Sequence, residues 1–162
     1  MVDFMLQQFG KIALMSRFKL EHVAIEILVA DRDLAVALNL RVERIGHGFT
    51  ASQDADLIEE LAQRQIPVEL CITSNLRTGV CKSVAEHPTK NYFDQGVMIT
   101  LNTDDPALFG TTLSHEYQLA QETFGFTDEH LRELARNSFE ASFLPAEKKL
   151  ELLSLFDAAA AR

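Results

Sequence analysis

Residues 101–106 read Leu-Asn-Thr-Asp-Asp-Pro, and the fold class follows from this stretch and its surroundings. The apolar run Val97–Leu101 predicts a buried strand, and a helical pattern follows the stretch. Two adjacent carboxylates, Asp104 and Asp105, therefore stand where a strand ends. In parallel α/β sheets and barrels, that end of the strands carries the ligand site. The stretch equally fits a plain helix start, with Asp105 as N-cap and Pro106 in the first turn.

Two more stretches, Val42–Gly48 and Val68–Thr73, have the apolar pattern of strands, and helical patterns separate the three. Alternating strands and helices at this spacing predict right-handed β-α-β units in a parallel sheet. An earlier run, Val23–Val29, fits either a strand or a buried helix. Five helices are predicted from residue 52 onward. The first begins at the N-cap Ser52, and the next two span Asn91–Gln95 and Thr112–Phe124. The fourth runs from the N-cap Thr127 to Asn137, and the last begins at Pro145 and buries Leu150, Leu153 and Phe156.

Each predicted strand is followed by residues whose side chains can bind a metal or take part in catalysis. His47 follows the first, Ser74 and Asn75 follow the second in a predicted polar loop, and the two aspartates follow the third. Neighbouring parallel strands would gather these groups on one face. Zn²⁺ accepts a carboxylate beside an imidazole, and a metal-bound water supplies hydroxide at neutral pH. His47 also fits an ordinary hydrogen-bonded structural histidine.

The three strand ends, taken together, resemble consecutive signatures of the adenosine deaminases. The stretches that carry the resemblance are Arg44–Gly48, Glu69–Gly79 and Leu101–Pro106, and the tail Ala141–Lys149 is similar to theirs as well. The likeness covers about residues 34–162, in the family's order and spacing. Residues 1–33 form a separate, poorly assigned helical segment in this interpretation.

The resemblance implies the C-terminal half of a (β/α)₈ barrel, with parallel strands followed by C-terminal helices. It implies hydrolysis of adenosine to inosine and ammonia with one zinc ion, and a purine nucleoside as the small-molecule partner. Asp104 would be a zinc ligand, and His47 would assist the attacking hydroxide as catalytic base or electrostatic helper. Asp105 would orient that hydroxide and contact the purine N7. Adenine or N6-substituted AMP is the alternative substrate within the family.

Two motifs of the family have no match in the sequence. The family takes further zinc ligands from a His-x-His motif and a His-Ala-Gly-Glu motif on earlier strands. The nearest candidate here is His22, with Glu26 four residues on and no glycine between them. We interpret this pair as neighbours on a helix face. A complete barrel takes about 250 residues. The missing motifs and the length of 162 residues predict a chain that needs a partner or self-association, or a non-catalytic truncated fragment.

Composition and short motifs argue against several other classes of function. The net charge of -9 argues against nucleic acid or an anionic membrane as the main partner. No apolar stretch reaches the length of a membrane span, and the two cysteines, Cys71 and Cys81, read as reduced thiols of a cytoplasmic protein. A hydrolase with Ser74 as nucleophile is disfavoured, because Ser74 is not in a G-x-S-x-G turn.

Overall fold

The computed structural model describes residues 24–26 and 42–160 of the chain. Several sequence predictions fall outside these ranges. They are the helical patterns of the first 14 residues and of residues 34–40, the ligand candidate His22, and most of the proposed segment 1–33. The division of the chain near residue 33 therefore stays a prediction.

Four parallel strands form one sheet in the order β1-β2-β3-β4, so neighbours in sequence are neighbours in space. Ile25 pairs with Ile45, Ile45 with Val68, and Val68 with Ile99. This in-line register brings the carboxyl ends of the strands to one edge of the sheet. The strands are β1 (Ala24–Glu26), β2 (Arg44–Gly46), β3 (Val68–Leu70) and β4 (Ile99–Leu101).

The inner strands are almost completely buried, as parallel strands covered by helices usually are. Their side chains join one core with apolar residues of the surrounding helices. Those helices are α1 (Ala55–Arg64), α2 (Ile72–Arg77), α3 (Thr89–Asp94), α4 (Pro106–Phe109), α5 (Leu113–Phe124), α6 (Asp128–Glu140) and α7 (Ala146–Ala160), with short 3₁₀ turns at Phe49–Gln53 and Val84–Glu86. Strands alternating with helices confirm the α/β class predicted from the sequence.

Within the ambiguous run, Ala24–Glu26 is a strand, β1, which pairs with β2. The helix-face interpretation of Glu26 is therefore wrong, and its backbone lies in register with Gly46. Strand β1 precedes the three strands that the apolar pattern predicts from residue 42 onward. The sheet thus extends one strand further toward the start of the chain.

The predicted polar loop after β3 is wrong, because Ile72–Arg77 is the helix α2. Strand β3 also ends at Leu70, three residues earlier than predicted. The polar residues that resembled a solvated loop are buried: Ser74 is 1% and Asn75 is 2% exposed. Their burial is tolerated because both side chains have hydrogen-bond partners within the protein, so water is not needed to satisfy them.

Two details of the helices also differ from the predictions. Asp54, not Ser52, is the N-cap of α1, and its carboxylate accepts from the backbone N–H groups of Asp56 and Leu57. Ser52 belongs to the preceding 3₁₀ turn and donates to the Phe49 carbonyl at 2.8 Å. In α7, the predicted inward-facing Leu150 is exposed, whereas Leu152 is buried. The predicted caps Thr127 and Gly125 are confirmed.

Arg44 connects two of the stretches that carried the family resemblance. Its Nη1 donates to the Ala141 carbonyl at 3.0 Å, and its guanidinium lies 4.2 Å from the centre of the Phe143 ring. Glu69 on β3 lies 3.2 Å from its Nε. The segment after α6 is thereby held to the sheet. Within the part of the chain that the structure describes, no helix combines the length and apolar character needed to cross a membrane.

Candidate active site

The polar groups predicted at three strand ends meet at the carboxyl edge of the sheet. Asn102 N–H donates to the Leu70 carbonyl at 2.8 Å, which continues the β3–β4 pairing past the end of the strands. The chain then turns so that Asp104 meets Ser74, whose hydroxyl donates to Oδ2 at 2.8 Å. His47 Nε2 lies 3.6 Å from the same oxygen. The convergence predicted from the strand order is therefore present.

His47 is held in a left-handed backbone conformation, with φ of 59°. This conformation costs a residue other than glycine about 1–2 kcal/mol. The next residue is Gly48, also with positive φ, and a Cβ there would lie 2.4 Å from Val68 Cγ1. The Gly48 carbonyl accepts a hydrogen bond of 2.6 Å from the buried Tyr92 hydroxyl. Glycine and tyrosine together hold the turn that presents the imidazole.

Asp104 has the same unusual backbone, with φ of 58°. Its neighbour Asp105 has extended backbone and is the N-cap of α4, where its Oδ1 accepts from Leu108 N–H at 2.9 Å. The two adjacent carboxylates therefore have different partners. Asp104 contacts Ser74 and His47, and Asp105 begins a helix with Pro106 in the first turn. The capping interpretation of Asp105 is confirmed, while its role toward a substrate stays a prediction.

The side chain of Asn75 connects His47 to a second histidine. His47 Nδ1 lies 3.1 Å from Asn75 Oδ1, and Asn75 Nδ2 lies 2.9 Å from His87 Nε2. His87 Nδ1 is 2.7 Å from the Thr89 hydroxyl. Burial, with a smaller contribution from the charge of His47, lowers the pKa of His87 from 6.5 to about 4. His87 is therefore neutral near pH 7.

Neutral His87 carries one proton, and the placement of the Asn75 amide puts it on Nδ1. His47 then donates from its own Nδ1 to Asn75 Oδ1. A neutral His47 with this tautomer turns the lone pair of Nε2 toward the carboxylate of Asp104. Two acceptors 3.6 Å apart repel each other unless a proton, a donor or a cation lies between them. With this tautomer, the pair can accept a proton donor or a cation between the two acceptor atoms.

The imidazole of His47 and the carboxylate of Asp104 are ligand types that zinc accepts, but two ligands are too few for a zinc site. Catalytic zinc takes three protein ligands and an open position. Across residues 24–26 and 42–160, no group of three or more His, Cys, Asp or Glu side chains is arranged to hold a metal ion. Asp104 and His47 can therefore supply at most part of a coordination shell.

Sequence reasoning missed three residues of this site. His87 stands in a loop after a 3₁₀ turn, Thr89 begins α3, and Tyr92 reads as a core aromatic. No local pattern marks them, because His87 contacts Asn75 and Tyr92 contacts Gly48, both distant in sequence, and Thr89 acts through His87.

A cavity of about 280 Å³ lies away from these residues, at the amino-terminal side of the strands beside Pro67 and Met98.

Parallel strands whose carboxyl ends present an imidazole, a hydroxyl and carboxylates have the arrangement in which α/β proteins commonly bind ligands. The family model of adenosine deaminase matches residues 33–159. The chain belongs to the adenosine deaminase family.

Relatives of the chain include several kinds of deaminase. It is 44% identical over 120 residues to an aminodeoxyfutalosine deaminase of Streptomyces coelicolor, which covers 74% of this chain and 31% of that protein. It is 47% identical over 112 residues to an adenosine deaminase of Edwardsiella ictaluri, covering 68% and 34%. The chain thus spans about a third of the length of these curated relatives.

Solved structures agree on the fold. An adenine deaminase from Arthrobacter aurescens superposes with a TM-score of 0.79 at 28% identity, over 86% of this chain and 43% of that one. An Arabidopsis protein solved as a complex with IMP superposes with a TM-score of 0.77 at 27% identity, over 95% of this chain and 44% of that one. An amidohydrolase from Burkholderia ambifaria with bound zinc gives 0.68 at 26% identity, over 86% and 42%. The neighbours are barrel deaminases, so the prediction of a partial (β/α)₈ barrel is confirmed.

Proposed function

We propose that the chain supplies one side of a zinc-dependent deaminase site that hydrolyses adenosine to inosine and ammonia. One observation carries the proposal: His47 Nε2 lies 3.6 Å from Asp104 Oδ2 at the carboxyl edge of the sheet. Family membership supports the reaction class, and the zinc in the Burkholderia neighbour supports the metal. The IMP complex of the Arabidopsis neighbour supports a purine ligand.

The residues have separate roles in this proposal. Asp104 is one zinc ligand, and Ser74 orients its carboxylate through the 2.8 Å hydrogen bond. Zinc, when bound, lowers the pKa of its water toward neutrality. His47 holds or accepts a proton at Nε2, because its Nδ1–H is occupied by Asn75. Asp105 uses the carboxylate oxygen that does not cap α4 to orient substrate.

The remaining donors must come from outside the described ranges or from a second chain. Among the described elements, β1 lies beside the strand that carries His47, because Glu26 is in register with Gly46, one residue before His47. The chain around β1 is therefore the first place where further zinc ligands are expected. Self-association or pairing with a complementary chain would complete the donor set in the second case. The proposed compartment is the cytoplasm, on the basis of the two buried thiols Cys71 and Cys81.

The substrate is proposed at the level of a 6-aminopurine. Adenosine is the first choice. The names of the relatives support the alternatives adenine and N6-methyl-AMP and add aminodeoxyfutalosine. These compounds share the amino-substituted purine ring and differ in what is attached to N9 or N6. A panel of the four, assayed at equal concentration, ranks them by kcat/KM.

The test is loss of the adenosine absorbance as inosine forms, with zinc added, for the full chain. It is run with the chain alone and mixed with a separately produced N-terminal half of a relative. Asp104→Asn and His47→Gln should each abolish turnover. Asp94→Asn, which alters an exposed aspartate on α3, is the matched control and should retain it. Turnover that survives Asp104→Asn would contradict the proposed role of Asp104.

A second candidate is a non-catalytic piece that binds other subunits. It is favoured by the lack of a three-donor cluster among residues 24–26 and 42–160. No turnover with or without the complementary half, together with folded protein by circular dichroism, would select this candidate.

A further inference from the structure

His87 is a buried titratable group that the proposed chemistry does not use. It is 3% exposed, and the Phe49 ring packs edge-on against it at 5.7 Å between centroids. Burying a polar ring costs free energy unless each nitrogen has a partner. Both nitrogens have one, Asn75 Nδ2 at 2.9 Å and the Thr89 hydroxyl at 2.7 Å.

Two arrangements of protons satisfy this network, and they are mutually exclusive. In the first, His87 carries its proton on Nδ1, Asn75 donates its amide N–H to His87 Nε2, and His47 donates from Nδ1 to Asn75 Oδ1. In the second, His87 carries its proton on Nε2 and the Asn75 amide is reversed. Asn75 then donates to His47 Nδ1, so the proton of His47 must move to Nε2.

The atom placement corresponds to the first arrangement, with Asn75 Oδ1 facing His47 at 3.1 Å and Nδ2 facing His87 at 2.9 Å. Only this arrangement turns the lone pair of His47 Nε2 toward the Asp104 side. Because asparagine can reverse its amide at little cost in shape, its orientation depends on the nitrogen that each neighbouring ring presents to it. On the side away from His47, that ring is His87.

We propose that His87 is a positioning residue, which acts through the Asn75 amide to keep the proton of His47 on Nδ1. A neutral ring that accepts at Nε2 orders the amide, and the ordered amide orders the catalytic imidazole. Thr89 sets the ring itself by accepting from Nδ1. The consequence for turnover rests on the proposed function, whereas the tautomer of His47 does not.

The test reads the protonated nitrogen of each ring by long-range ¹H–¹⁵N NMR on the full chain with labelled histidine, at about pH 8, where ordinary histidines are neutral. In the wild type, both His47 and His87 should carry the proton on Nδ1. His87→Leu removes the acceptor, so both amide orientations become accessible and His47 should show mixed tautomers. His115→Leu, at an exposed histidine on α5, is the control and should leave His47 unchanged.

A second variant gives a reciprocal signature if His87→Leu does not fold. Asn75→Asp offers acceptors only, so the proton of His87 should move to Nε2 while His47 keeps its own on Nδ1. A wild-type His47 protonated on Nε2, an unchanged His47 in His87→Leu, or an unchanged His87 in Asn75→Asp would overturn the proposal.

Activity separates this proposal from the proposed function. If the chain is an active deaminase under the complementation conditions, His87→Leu should lower kcat about 10- to 100-fold, as loss of an orienting partner does, with KM nearly unchanged. Expected tautomers without any turnover would reject the deaminase function and leave the positioning of His47 intact. Turnover with the wrong tautomers would do the reverse.

Discussion

Replacing Gly48 by alanine tests how the backbone presents His47. Gly48 has φ of +49°, and an added Cβ would lie 2.4 Å from Val68 Cγ1. Carbon atoms in contact normally keep about 3.5–4.0 Å, and Val68 is completely buried in β3. The methyl group therefore has no space unless the turn or the strand moves.

The expected cost has two parts that can be separated. An L-residue in the left-handed region costs about 1–2 kcal/mol, and forcing an extra carbon into a packed core costs about 1–3 kcal/mol. Gly48→Ala should lower the free energy of unfolding by about 2–5 kcal/mol in total. Gly125→Ala is the matched control, because Gly125 has φ of +68° with no atom within 4 Å of an added Cβ. It should cost only the backbone part.

A double-mutant cycle identifies the clashing atom. Val68→Ala alone leaves a cavity and destabilises by about 2 kcal/mol. Combined with Gly48→Ala it makes room for the new methyl, so the double variant should be more stable than the sum of the two costs by at least about 1 kcal/mol. Urea unfolding followed by circular dichroism measures all four proteins. Additive costs, or equal costs for Gly48→Ala and Gly125→Ala, would refute the reasoning.

Three further predictions concern His87, Tyr92 and the N-cap of α1. The pKa of His87 is lowered from 6.5 to about 4 in the folded protein, so the unfolded chain binds more protons between these two pH values. The contribution of neutral His87 to the free energy of unfolding is therefore fully present above about pH 6.5, and about 3 kcal/mol of it is lost as the pH drops to 4. His87→Gln should flatten that part of the pH–stability curve, and parallel curves for variant and wild type would contradict it. Tyr92→Phe leaves the Gly48 carbonyl without its 2.6 Å donor and should cost about 1–3 kcal/mol in thermal unfolding; an unchanged midpoint would show that this bond is not needed. Asp54→Ala should destabilise by about 1 kcal/mol through the lost cap of α1, and Ser52→Ala by clearly less, in the same thermal assay; the opposite order would restore the sequence-based assignment of the cap.

The strand order could be predicted from the sequence because it depends on local pattern and on chain connectivity. Apolar runs mark β2, β3 and β4, and parallel neighbours must align their carboxyl ends. The approach of His47 to Asp104 follows from those two facts. No knowledge of side-chain packing was needed to place these two residues on one edge.

Helix α2 could not be predicted in the same way. Ser74 and Asn75 are polar, and polar residues after a strand usually face water. Their burial depends on Asp104, 30 residues away, and on His47, 28 residues away. A single sequence contains no local sign of those partners, so the same residues were interpreted as a loop.

The error in α7 has a different cause. Residues 150, 153 and 156 are spaced three apart, and residues 152 and 156 are spaced four apart; both spacings fit one face of a helix. Apolar residues stand at all of these positions, so periodicity does not choose between the two faces. Contact with Phe139 on α6 decides it, since Phe139, Leu152 and Phe156 form a common cluster.

The distribution of backbone strain is an argument that the site is organised by the chain itself. Among the described residues, three other than glycine have positive φ: Gln65, His47 and Asp104. Gln65 caps the end of α1, where such a conformation is ordinary. The other two are the facing pair, and each gives up about 1–2 kcal/mol of stability. Hydrogen bonds from Tyr92 to Gly48 and from Ser74 to Asp104 hold the strained turns. Strain that is kept by such dedicated contacts is typical of functional sites. Contacts within the chain itself therefore hold His47 and Asp104 in place, as the proposed function requires of them.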